Sequence, residues 1–387
     1  MNCMKKDYHQ STEIRKSYEI LPLQGIWSWL TGKEQLGRKP LWESNSSELI
    51  VWSLLWVMIG LWLTSLAVFY AQSLSAYIAL YIAGALFSTA GARYIVATII
   101  HHGVHGHLYQ SQKMNKALCE VLSTLLIVQP YESYRQFHVY EHHGRAFSTF
   151  EDKDLAAIYQ LGFTPGKSKT ELYAHLFLTL ISPKFHLVFF YGRLKSNLVG
   201  VPPYRLVMTL IWWAALTGMS ILLGTSATIL ILLLPFVVFY QMTSLLHLLT
   251  EHVWIVRGEG ESVRESHINN SLARFCGEIC PKSFAPKYIG HWAKWLAMHL
   301  LVHLPCRMLI VQGSLVCHDW HHRYGTVRQW YDYAKLREIH AHKLSIEERY
   351  DYHDIWGVHN ALDYVFSSLS RQERSELQTA RLTYRLN

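Results

Sequence analysis

Two long uncharged blocks interrupt an otherwise polar chain. No Asp, Glu, Lys or Arg occurs from Leu49 to Ala92, nor from Leu206 to Thr250. A helix rises 1.5 Å per residue, so crossing the hydrocarbon core takes about 20 residues, and each block is long enough for two crossings. Ala71, Gln72 and Ser73 mark a turn in the first block, and Gly224 ends the first half of the second. The pattern predicts spans near 49–70, 74–100, 206–224 and 225–250, paired as two hairpins. After Arg93 the sequence YIVATII continues helical into His101. The second helix is therefore expected to outrun the bilayer, with Arg93 snorkelling towards the headgroups.

The remainder is polar. Residues 1–48, with Lys5, Lys6, Arg15, Lys16, Lys33, Arg38 and Lys39, read as an amphipathic cytoplasmic segment without a cleavable signal. Residues 171–192 are apolar but broken by Ser182, Pro183, Lys184 and His186; residues 293–316 are interrupted by Lys294, His299, His303 and Arg307. Both suit helices lying in the interface. Two hairpins put residues 1–48, 93–204 and 251–387 on one side. The segment 101–204 carries Lys113, Lys116, Arg135, Arg145, Lys153, Lys167, Lys169, Lys184, Arg193 and Lys195, which makes that side the cytoplasm.

Composition agrees with a membrane protein. Half the residues are apolar and only 17% are charged, against roughly a quarter in soluble domains. The net charge of +8 fits the positive-inside bias and anionic headgroups. Nucleic-acid binding is not expected, since no basic helix or aromatic-basic platform is present. The six cysteines form no CxxC pair and read as thiols in a reducing compartment.

Histidine changes the picture. There are 23, grouped as HHGVHGH (101–107), HVYEHH (138–143) and HDWHH (318–322), with Glu251-His252 just after the fourth apolar segment. On an α-helix, residues three or four apart share a face. His101 is thus expected to pair with His105 and His138 with His142, while His318, His321 and His322 point together. Adjacent pairs such as His142-His143 splay by about 100°, so each member can reach a different one of two neighbouring metals. Imidazole suits Fe, Zn, Cu and Ni alike, so the donors alone do not fix the metal; the number of His and the two-metal capacity point to redox iron. His102, His107 and His247 are alternative ligands. His299 and His303 read as packing residues, and His340, His342, His353 and His359 as solvated. Glu141, Asp152, Asp154 and Asp319 are able either to orient ligating imidazoles or to form ordinary salt bridges.

HHGVHGHL resembles the first histidine box of the membrane fatty acid desaturase and hydroxylase superfamily, HVYEHH the second and HDWHH the third. Thr149, Glu151, Asp152, Asp154 and Leu155 resemble the acidic run that follows the second box. Glu251-His252 resembles the extra EH of related alkane hydroxylases, although Leu248 stands where those commonly place Asn. Three residues separate His138 from the His142-His143 pair, where many desaturases have two, and RYG follows the third box instead of an apolar-Pro tail. The resemblance covers residues 50–325. It implies an all-α membrane protein: four transmembrane helices in two hairpins, with a cytoplasmic helical cap holding the metal site. The expected division is 1–48, 49–325 and 326–387, with both termini cytoplasmic.

The implied activity is dioxygen-dependent desaturation of a fatty acyl chain by two iron ions held by His101, His105, His138, His142, His143, His252, His318, His321 and His322. Hydroxylation or another oxidation of an alkyl, acyl or carotenoid substrate is the alternative, and a metal transporter or sensor a distant one, since the spans carry no charge at their centres. No haem or iron–sulfur signature is present, so electrons are expected from a separate ferredoxin, cytochrome or rubredoxin.

Overall fold

A computed structural model describes residues 2–37 and 43–372. Arg38, Lys39 and the end of the expected C-terminal segment, 373–387, lie outside the described residues. The chain is mostly helical. Helices α1 (Asn2–Ser17) and α2 (Gln24–Thr31) precede α3 (Ser46–Tyr70) and α4 (Leu74–Val104). Then come α5 (Gln112–Leu125), α6 (131–145), α7 (Lys153–Gln160), α8 (Lys169–Ile181) and α9 (Pro183–Leu198). Helices α10 (Pro203–Leu223) and α11 (Thr225–Glu251) follow, then α12 (Val263–Asn270), strand β1 (Ala273–Phe275) and α13 (289–309). The last elements are α14 (His318–Arg323), α15 (Tyr333–Ile346), strand β2 (Asp354–Trp356) and α16 (Val358–Arg371).

Four helices, α3, α4, α10 and α11, are long and apolar enough to cross a membrane. Asn45 and Ser73 cap the first two, each side chain accepting a backbone N–H three residues on. Small residues let α3 and α4 approach closely. A Cβ on Gly60 would stand 2.2 Å from the Ser88 amide nitrogen, and one on Gly84 2.6 Å from that of Thr64. Gly224 joins α10 directly to α11 at φ +78°, a left-handed turn that a side chain rarely adopts. The outer faces stay uncovered, with Trp62, Ile221 and Leu222 strongly exposed, as a lipid-facing surface requires.

The interrupted apolar segments resolve differently. Helices α8 and α9 meet at Ser182 with a bend of 65°, and together they pass the same length and composition test as a broken span or re-entrant pair. Pro183 starts the second of them, since its fixed φ suits the first helical turn. In α13 the residues Trp295, His299, His303 and Arg307, spaced by four, face inward, while Leu296, Leu300 and Leu301 are exposed. The Tyr18 hydroxyl meets His299 Nε2 at 2.7 Å.

Several polar residues expected in solvent are buried. Arg93 does not snorkel: it is 4% exposed, donates to Ser244 Oγ at 2.7 Å and lies over the Tyr240 ring. Helix α4 continues beyond it into protein, so the guanidinium finds neighbouring helices instead of headgroups. Lys33, expected in a polar tail, pairs with Glu338 at 2.7 Å and Asp354 at 2.9 Å. Arg337 bridges Asp319 and Asp354, each at 2.6 Å. This buried chain of charges ties the N-terminal segment and β2 to α14. His353, expected to be solvated, is buried beside it. The parallel pairing of β1 with β2, Ala273 opposite Asp354 and Phe275 opposite Trp356, closes the same region. The five cysteines from Cys119 onward are free thiols.

Candidate metal centre

Four stretches distant in sequence deliver nine imidazoles to one place. His101 lies in the last turn of α4 and His105 follows it; His138, His142 and His143 lie on α6; His252 follows α11; His318, His321 and His322 lie on α14. They separate into two groups. In the first, His101, His105, His138, His143 and His321 each offer a ring nitrogen within 4.8 Å of the others; in the second, His142, His252, His318 and His322 do so. Individual separations are shorter: 2.7 Å between the Nε2 atoms of His101 and His321, 3.2 Å for His138 and His143, 3.0 Å for His252 and His318, and 3.1 Å for His318 and His322.

Helix geometry decides who joins which group. Residues 136–145 are wound as a wider π-helix, whose bonds run i to i+5. His138 therefore meets His143, and it also keeps the expected partner His142: the two rings stack 5.4 Å apart, and with Asp154 they offer ligand atoms within 4.8 Å of one another. Likewise His318 pairs with His322 at i+4, while His321 turns to the first group. Each adjacent pair, His142-His143 and His321-His322, is thus divided between the groups. A second π-helical turn, Ile95–Ile100, immediately precedes His101. Gly144, with ψ −144°, breaks the winding directly after His143.

The site is buried and most of its rings are held neutral. Burial, reinforced by repulsion among neighbouring imidazoles, holds His138, His143, His318, His321 and His322 well below the usual histidine range; the same causes push His105 down to about 3. These rings stay neutral and present lone pairs. His142 is different: burial pushes it down, but Asp152, with both carboxylate oxygens 3.0 Å from Nδ1, and Asp154 raise it to about 9. The carboxylate keeps a proton on Nδ1 and leaves Nε2 facing the second group. The Asn270 carbonyl, 3.2 Å from His252 Nδ1, does the same there. Burial raises Asp154 to about 8, against the pull of His142.

The donor arrangement fits a pair of transition-metal ions. Two nitrogens each about 2.0–2.1 Å from one ion, at right angles, stand about 3 Å apart, the separation seen within both groups. Buried His105 Nε2 has no hydrogen-bond partner among the described residues, and a cation would satisfy it.

The other candidate residues fall outside. His102 Nε2 meets Ser314 Oγ at 2.9 Å and its ring stacks on Trp330. His247 is held by the Ile310 carbonyl at 2.6 Å and by Glu251 at 3.1 Å. His107 lies beyond His105, in neither group. Glu141 pairs with Lys153 and Asp319 with Arg337, so these two make salt bridges. One residue escaped the sequence reading: His267 of α12 is buried, packs on Phe147 with ring centres 4.4 Å apart and lies 5.0 Å from the His322 ring. It belongs to no box, and no spacing marks it.

A cavity of about 520 Å³ opens beside the first group, walled by His101, His138, Phe137, Asp154, Leu248 and residues of α9. Its position lets a bound hydrocarbon lie against the donors.

A cluster of imidazoles able to hold metal, at the ends of apolar helices and beside a cavity, points to the class of membrane proteins with a histidine-rich metal site. The fatty acid desaturase family profile matches residues 75–279, just over half the chain. The protein belongs to the fatty acid desaturase family, and is a membrane oxidoreductase acting on lipids. The match covers the first two boxes and Glu251-His252; HDWHH lies downstream and joins them through the fold. No curated protein matches the chain.

Proposed function

We propose that the protein desaturates a fatty acyl chain, using dioxygen and electrons from a separate ferredoxin, cytochrome or rubredoxin. The convergence of nine imidazoles in two groups beside a lipid-sized cavity carries this reading. His101, His105, His138, His143 and His321 would hold one iron ion, and His142, His252, His318 and His322 the other. Iron bound there supplies the dioxygen chemistry needed to attack an unactivated C–H bond. The chain's own residues do the rest. Asp152 and the Asn270 carbonyl hold Nδ1 of His142 and His252 and so orient the two rings. Phe137, Val96 and Leu248 line the cavity and exclude water. Asp154 faces the cavity 3.8 Å from His142 Nδ1.

Desaturation needs two neighbouring C–H bonds held in register, and the acidic run after His143, whose Asp152 orients a donor, favours it. Hydroxylation is the second reading, favoured by His252 of the EH pair standing within the second group. Cells expressing the protein and fed deuterated palmitate or stearate should yield a product lighter by two hydrogens (or their deuterium equivalents) with no added oxygen. A labelled product carrying one oxygen from dioxygen and no new double bond would replace desaturation with hydroxylation.

We further propose that residues 49–325 form the catalytic unit, with 1–48 and 326–387 flanking it, and that the termini and metal centre are cytoplasmic. The Lys/Arg content of 101–204 supports this sidedness. A cysteine introduced at residue 160 should react only with reagents reaching the cytoplasm; labelling from the outer side would reverse the topology.

A further inference from the structure

The cavity wall also carries cations. Arg93 and Arg193 both line it, and their guanidinium groups stand 5.4 and 4.7 Å from the centre of the same Tyr240 ring. Neither forms an ion pair among the described residues. The cavity's carboxylates are engaged elsewhere: Glu251 with His247 at 3.1 Å, Asp154 beside His142. The two arginines differ in what they have left to give. Arg193 spends Nε, Nη1 and Nη2 on the carbonyls of Ile127, Phe236 and Leu126. Arg93 gives Nη1 to Ser244 and Nε to the Leu309 carbonyl, and its buried Nη2 has no partner among the described residues.

A cation outside any ion pair and with a spare donor, buried at a cavity wall, is costly unless something bound there answers it. Two positive charges outside any ion pair among the described residues, with Glu251 acting on Arg93 only from beyond ion-pair distance, favour an anion over a neutral carbonyl. The level is suitable too. Arg93 lies nineteen residues along α4 from Leu74, about 28 Å of helix, which is close to the hydrocarbon thickness of a bilayer. Val128, on the same cavity wall, gives its carbonyl to Arg205 at the start of α10. A polar group at Arg93 would thus sit near the headgroup plane. His101 is eight residues farther, roughly 12 Å on.

Building on the fatty acyl reading above, we propose that the substrate is a free fatty acid whose carboxylate is held by Arg93 Nη2, so that its alkyl chain lies across His101 and His138. The charge would then fix which carbons reach the metal centre, and the acyl group would need no carrier.

The test is equilibrium binding to the metal-loaded full chain in nanodiscs, with radiolabelled palmitate competed by methyl palmitate or palmitoyl-coenzyme A. Wild type should bind palmitate about tenfold or more tightly than the methyl ester, the range of a hydrogen bond to a charged group. Arg93→Met should abolish that preference and Arg93→Lys should keep most of it, with metal content confirming that each variant folds. Equal binding of acid and ester by wild type would overturn the proposal without reference to any variant. So would tighter binding of palmitoyl-coenzyme A, or an unchanged acid preference in a folded Arg93→Met. Binding is read without turnover, so an enzyme that hydroxylates instead of desaturating gives the same answer here and is distinguished only by its product.

Discussion

His321→Ala is expected to cut turnover by well over about 100-fold, more than loss of a residue that merely orients a ligand, and to lower bound iron from about two ions per chain to about one. His321 belongs to the first group, where its Nε2 lies 2.7 Å from that of His101. Removing it takes one nitrogen from a set of five and leaves the second group intact. His142→Ala should do the converse: it empties the second group and orphans Asp152, which now holds the ring at 3.0 Å. His102→Ala is the control, since that ring packs on Trp330 outside both groups; it should keep its metal. Elemental analysis by plasma mass spectrometry alongside product formation decides the matter. Active protein without a transition metal, or His321→Ala with full metal and full turnover, would remove the metal centre from the account.

Arg337→Met should be the most damaging substitution away from the imidazoles. Arg337 is fully buried between Asp319 of the third box and Asp354 of β2, and Lys33 reaches Asp354 from the N-terminal segment. Without the guanidinium, Asp319 loses its cation while Asp354 and Glu338 share the single ammonium group of Lys33. Breaking a buried pair of this kind costs about 3–5 kcal/mol, and here it also loosens the helix that carries His318, His321 and His322. The expected results are a large fall in the thermal midpoint and partial loss of metal. The pH dependence has a definite sign. Burial alone would raise the Asp354 carboxyl, but Arg337 and Lys33 hold it well below the usual carboxylate range. A depressed carboxylate stabilises the fold at pH above its unfolded value of about 3.9, and the contribution is lost as pH falls through the folded value. The gap between wild type and Arg337→Met should therefore be widest near neutrality and close below about pH 4. A midpoint within 1 °C of wild type at pH 7, on the scale where about 1 kcal/mol moves a domain's midpoint by several degrees, would show that the network holds nothing in place.

The sequence by itself determined the spans and the set of imidazoles. Long uncharged runs have few ways to satisfy their backbone except as membrane helices, so α3, α4, α10 and α11 were legible within a few residues of their ends. The clustering of the boxes was legible because histidines at short fixed spacings share helix faces. What tertiary structure decided was the partnership. A π-helical turn, invisible to residue type, brought His143 to His138 as well as the expected His142. Packing of α14 between Arg337 and the box helices joined HDWHH to residues far upstream. The burial of Arg93, Lys33, His267 and His353 was equally illegible, because each gains its surroundings from elements remote in the chain. A charged residue reads as solvent-facing until the fold supplies a partner or a cavity. For Lys33 the partners are Glu338 and Asp354, and for Arg93 it is a cavity wall that leaves one nitrogen free.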